Sequence, residues 1–97
     1  MLPAYTTFNP VSVDEQVWYL DLATTSDMTP DDGKLLSKSI YSGNAMGKVG
    51  DGTLLPIAHT GSFILHTRCR LLTLNNVLHI PKLQHNSLSV RQLCWKL

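Results

Sequence analysis

The stretch "WYLDLATTSDMT", Trp18 to Thr29, decides how this chain is read. An apolar run, Val17 to Leu20, leads into one carboxylate, Asp21, and small hydroxylated residues follow. Such a run, ended by turn formers, predicts a short strand that delivers an acid to an exposed turn. Loops held by a rigid strand are where catalytic groups are usually presented. The next two residues, Leu22 and Ala23, offer no hydrogen-bonding side chain. Asp21 is therefore either a working acid or the remains of one.

Outward from this stretch, the rest of the chain supplies short strands and breakers. Residues 1–16, "MLPAYTTFNPVSVDEQ", lack helical periodicity and carry Pro3 and Pro10, which predicts an extended arm or linker before a domain at 17–97. "TPDDG", Thr29 to Gly33, is a turn, because Pro presets φ and Asp bonds its own backbone. "KLLSKSIYSGNAMG" is expected to be a loop with a helical turn, closed off by Gly43 and Gly47. In "KVGDGTLLPI", Gly50, Asp51 and Gly52 lie between apolar flanks, a strong local signal for a hairpin. "GSFIL", Gly61 to Leu65, is a further strand. "LLTLNNVLHI" is the longest, with Leu72, Leu74, Leu78 and Ile80 on one face at period two and Asn76 interrupting. After Pro81, "SLSVRQLCWKL" has helical spacing with Ser87 or Ser89 as cap. Short strands followed by one helix mean a small all-β barrel or sandwich.

Composition sets the bounds. The chain has 97 residues, 43% hydrophobic and 15% charged, which is the balance of one folded domain with some apolar surface left for a partner, such as a second copy. No apolar run is long enough to cross a bilayer, and the polar start excludes a signal peptide, so an intracellular, cytoplasmic protein is expected. Cys69 and Cys94 are too few for a disulfide framework and are expected to be buried thiols. His59, His66, His79 and His85 form no H-x-x-x-H pair and the cysteines no C-x-x-C, so no metal and no cofactor is expected. The seven acidic residues all lie at or before Asp51, while five of the eight basic ones follow it. Two solvated faces of opposite sign explain that split. The basic half lacks arginine clusters and interleaved aromatics, which argues against nucleic acid.

What would an acid at the end of a strand need? Peptide hydrolysis without a metal can run on two aspartates that share one proton, one activating water while the other protonates the carbonyl oxygen. A chain this short supplies one such loop, so the site has to form on the two-fold axis of a homodimer. The loop should read Asp, then a hydroxyl residue, then Gly. The hydroxyl braces one loop against the other, and Gly lets the backbones approach.

With these requirements in view, "WYLDLATTSDMT", "VGDGTLLPIAHTGS", "LNNVLHIPKL" and "SLSVRQLC" resemble, in order and spacing, the Pol polyproteins of copia-type LTR retrotransposons, TNT-like elements among them. The region matched is their aspartic protease, and the resemblance runs from about Val17 to Cys94. It implies an acid-protease-like (retropepsin-like) β-barrel with one short C-terminal helix. It also implies a homodimer acting on a polyprotein peptide. The zinc-knuckle cysteines and the integrase zinc pattern that flank this region in the family are absent, so the chain is expected to be the protease region alone.

The family motif runs roughly W-x-L-D-S-G-A-[ST]-x-H-M. Trp18, Leu20, Asp21 and Met28 match it. Leu22 stands at the bracing hydroxyl, Ala23 at the glycine, Thr24 at the alanine and Asp27 at the histidine. Leu22 cannot make the bond between subunits, and a methyl at Ala23 restricts a crowded loop. Supporting losses of this kind cost on the order of 10–100-fold in activity each. The resemblance therefore implies a degenerate aspartic peptidase in which Asp21 is vestigial. The alternative is a non-catalytic dimerisation or binding module that keeps the barrel.

Overall fold

The computed structural model describes residues 11–13 and 16–95, with side chains described from Val17 onward. Nine strands and one helix make up the described residues. They are β1 (Val11–Val13), β2 (Gln16–Asp21), β3 (Met28–Thr29), β4 (Leu36–Ile40), β5 (Gly47–Lys48), β6 (Leu54–Leu55), β7 (His59–His66), β8 (Leu71–His79), β9 (Asn86–Ser89) and α1 (Val90–Cys94). Seven strands form one sheet in the order β1-β2-β9-β3-β8-β7-β4, and β5 pairs with β6 in a second. The small all-β, barrel-like expectation holds, with one short C-terminal helix and, among the described residues, with the large sheet left open between β1 and β4. Part of the expected arm, Val11–Val13, pairs antiparallel with β2, whereas residues 1–10, 14 and 15 lie outside the described residues.

The sheet is organised by its last strand. β9 lies between β2, which it pairs in parallel, and β3, which it pairs antiparallel. β9 was not foreseen, since "NSLS" has one apolar residue and no visible alternation. It is buried on both sides, with Ser87, Leu88 and Ser89 each at 1% exposure or less. Ser89 does cap α1, as its spacing suggested, by accepting a hydrogen bond from the Gln92 N–H.

β8 corrects the simple alternation drawn through "LLTLNNVLHI". Leu72 and Leu74 are buried, but past Asn76 the buried residues are Val77, His79 and Ile80, while Leu78 is half-buried. Asn76 has φ 58, and between Phe63↔Leu74 and Gly61↔Val77 two residues on β8 oppose one on β7. That is a β-bulge, which resets the side-chain phase of a strand. One hydrophobic stripe thus feeds two clusters. Leu72, Leu74 and Val77 join Trp18, Phe63, Leu65 and Leu88. Leu78 and Ile80 pack instead with Met28 and Leu83, against Val49, Leu55 and Ile57 from the hairpin. Trp18 and Phe63 meet with ring centroids 5.1 Å apart.

Two other expectations are corrected. The segment after Gly33 is not a loop with a helical turn, because β4 pairs with the edge of β7. All five β4 side chains are exposed, so no alternation of apolar residues announced it. The thiols are not buried either: Cys69 lies in the β7–β8 turn and Cys94 at the end of α1, and both are exposed.

Candidate functional site: the Asp21 loop

β2 ends at Asp21, whose backbone is in register with Ser89 of β9. The side chain points inward and is 2% exposed. One carboxylate oxygen, Oδ1, accepts the Ala23 N–H at 2.8 Å. The other, Oδ2, accepts the Ser87 hydroxyl at 3.2 Å, and Ser87 is itself buried. Both oxygens are thus engaged by this chain's own β9 and loop.

The residues after Asp21 are fastened in the same way. Thr24 is buried, and its carbonyl accepts the Ser89 hydroxyl at 2.8 Å. Its own hydroxyl donates to the Ser26 carbonyl at 3.0 Å. Asp27, buried at 2% exposure, accepts the Ser89 N–H at 2.9 Å. Gln92 of α1 donates to the Thr25 carbonyl at 3.0 Å. Leu22 is 61% exposed and stands at the outer face of this fastened loop. Nothing in the sequence announced that Ser87, Ser89 and Asp27 fasten this loop, because that depends on β9 being inserted beside β2.

The hairpin forms as its residues dictate. The Gly52 N–H donates to the Val49 carbonyl at 2.8 Å, and the Val49 N–H donates to Thr53 at 2.9 Å. Gly52 has φ +90, which an L side chain rarely adopts, so glycine is needed there. Asp51 accepts the Thr53 N–H at 2.8 Å. Hydrogen bonding from the Thr53 side chain first, and from its N–H second, holds the Asp51 carboxyl below its ordinary value. Asp21 and the hairpin tip are not brought into one cleft. Gly50 and Asp51 line a cavity of about 310 Å³ with Lys82, Leu83 and Gln84. The outer side of the Asp21 loop, Ala23 to Ser26, lines a separate one of about 310 Å³ with Gly47 and Lys48 at the hairpin base.

A second polar group lies away from both. Asp32, His59 and His79 come from the turn after β3, the start of β7 and the end of β8, and their ligand-type atoms lie within 4.8 Å of one another. His59 and His79 are directly opposed in the β7–β8 ladder. Their Nδ1 atoms are 2.9 Å apart. Lys38 donates to Asp32 Oδ2 at 2.9 Å, and this bond holds the Asp32 carboxyl below its ordinary value.

A small all-β domain with an aspartate loop fastened between an early strand and the last one is the class this geometry defines. The family described as "Pol polyprotein, beta-barrel domain" matches residues 18–96, and the chain belongs to it. It is 40% identical over 77 residues to the retrovirus-related Pol polyproteins from transposons RE1 and RE2 of Arabidopsis thaliana. The match covers 79% of this chain and 5% of each of those proteins. No solved structure matches. The chain corresponds to part of the Pol region of a copia-type retrotransposon, as its motif order implied. No helix of the described residues is long and apolar enough to cross a membrane.

Proposed function

We propose that this domain is a degenerate aspartic peptidase of a retrotransposon Gag-Pol polyprotein, with polyprotein processing as its ancestral role and proteolysis lost. The observation that carries this reading is the burial of Asp21, with both carboxylate oxygens held by Ala23 and Ser87 of the same chain. Two aspartates that share a proton must meet across a two-fold axis. A carboxylate 2% exposed within its own subunit has no surface to offer a second copy. Leu22, 61% exposed beside it, presents an isobutyl group where a bracing hydroxyl is required. The ancestral unit is a homodimer working on polyprotein peptides inside the cell.

The test is incubation of the purified chain with a Gag-Pol junction peptide at mildly acidic pH. The expected result is no pepstatin-sensitive cleavage. Cleavage that disappears in Asp21→Asn would refute the loss of activity. If Leu22 and Ala23 alone explain the loss, the double substitution Leu22→Ser with Ala23→Gly restores measurable cleavage; if the burial of Asp21 against Ser87 explains it, the double variant stays inactive. A double variant that stays inactive while dimeric removes the explanation by these two residues.

A second reading, a non-catalytic binding module that keeps the barrel, is favoured by the cleft between residues 23–26 and β5. Sedimentation of the chain alone, and with the junction peptide, distinguishes it. Peptide binding without cleavage supports the module.

A further inference from the structure

We infer that Asp32, His59 and His79 form a binding site for a divalent transition metal, zinc by the chemistry of its ligands. His59 Nδ1 and His79 Nδ1 face each other at 2.9 Å, and Asp32 Oδ2 lies 3.9 Å from the first and 4.0 Å from the second. Two imidazole nitrogens at that distance cannot both carry a proton, and two bare lone pairs repel. One proton therefore sits between them, and a metal ion can take its place. With metal–nitrogen bonds of about 2.0–2.1 Å in tetrahedral geometry, the two nitrogens stand about 3.3 Å apart. The pair has to open by only a few tenths of an ångström, and the carboxylate has to close by somewhat more.

The scaffold sets the two imidazoles in place before any ion arrives. His59 and His79 are cross-strand partners, and their rings lie edge to edge and nearly coplanar, with centroids 5.1 Å apart and an interplanar angle of 20°, so that the two Nδ1 atoms converge. His79 is 7% exposed, whereas the side chain of His59 is 27% exposed and that of Asp32 33%, which leaves an entry path on one side. Two imidazoles and one carboxylate make a donor set suited to zinc, with a fourth position open to water. Ligand spacing along the chain hides the site, since the sheet alone brings together residues 32, 59 and 79. The metal's competitor is also visible. Lys38 holds the same Asp32 oxygen in an ion pair whose lysine is 41% exposed, and such pairs are weak enough to yield.

The test is titration of the EDTA-dialysed full chain with zinc chloride at neutral pH, read by calorimetry and by the shift in melting temperature. One zinc per chain with a dissociation constant in the micromolar range or below is expected. Losing a partner of a metal ligand weakens metal sites about 10–100-fold, so His59→Gln and Asp32→Asn, which lose ligands outright, should each weaken binding at least about tenfold. Lys38→Gln should tighten it about two- to fivefold by freeing the carboxylate. His66→Gln with His85→Gln should leave it unchanged. Metal-free melting of each variant, matched to the parent, separates lost ligation from lost folding. No zinc uptake at about 100 μM, or uptake that His59→Gln and Asp32→Asn leave intact, overturns the site.

Discussion

Replacing Asp21 with alanine distinguishes a group retained for structure from one retained for chemistry. Catalytic groups are commonly held at a cost to stability, so removing them leaves the fold unchanged or more stable. Asp21 here accepts two internal hydrogen bonds, from Ala23 and Ser87. Losing them costs about 1–1.5 kcal/mol each, and the buried Ser87 hydroxyl left without its acceptor adds about 1–2 kcal/mol. Asp21→Ala should therefore destabilise the domain by about 3–5 kcal/mol. With a urea m-value of about 1–1.5 kcal/mol/M, the unfolding midpoint should fall by roughly 2–5 M. Asp21→Asn should cost only about 1 kcal/mol. Its amide oxygen still accepts the Ala23 N–H, and the Ser87 hydroxyl turns to accept the amide. Intrinsic fluorescence reads the transition, because Trp18 is wholly buried. Trp95, 83% exposed, is first replaced by Phe to remove its background. A midpoint for Asp21→Ala equal to or above the parent's would refute the structural role.

Three further outcomes test the fold around the site. Asn76 sits at φ 58 in the β8 bulge, so Asn76→Val should destabilise by about 1–2 kcal/mol while Asn76→Gly stays close to neutral in the same urea assay. A Cβ on Gly61 would meet the Leu36 carbonyl at 3.0 Å and Leu35 Cβ at 3.2 Å, so Gly61→Val should cost about 1–3 kcal/mol and raise amide exchange in β4 before β8. Asp51, lowered from 3.8 by its bond from Thr53, contributes hairpin stability that is present above the ordinary value and lost as pH falls through the lower folded one. A carboxyl NMR titration should find the Asp51 midpoint below 3.8, and Asp51→Asn should remove the acid-dependent part of Thr53 amide protection.

How much of this was legible in the residues differs from element to element. β2, the turn at Asp31 (whose carboxylate accepts the Gly33 N–H at 2.9 Å), the Gly52 hairpin and the Ser89 cap follow from local chemistry: an apolar run, an Asx bond, a left-handed glycine and a hydroxyl acceptor. Where local signals were weak, tertiary pairing decided. β4 has no buried side chain to betray it, and β9 owes its burial to strands on both sides. The Asn76 bulge moved Val77 into the place that period two assigned to Leu78. At the site, the position of Asp21 was readable and its inward orientation was not, because Ser87 lies 66 residues away. The cluster of Asp32, His59 and His79 escaped for the same reason. Register in a sheet creates neighbours that linear spacing cannot express.

The insertion of β9 between β2 and β3 fixes the order in which the molecule can be completed. β2 gains its second neighbour only when a strand made some 66 residues later arrives, so the decisive pairing closes a long loop late. In a chain still being synthesised, Asp21 stands in water, its second oxygen without Ser87, until that segment emerges. The domain cannot mature from its N-terminal half alone. Whatever interrupts synthesis or cleaves the chain before Ser87 leaves an open sheet with an exposed acid at its margin.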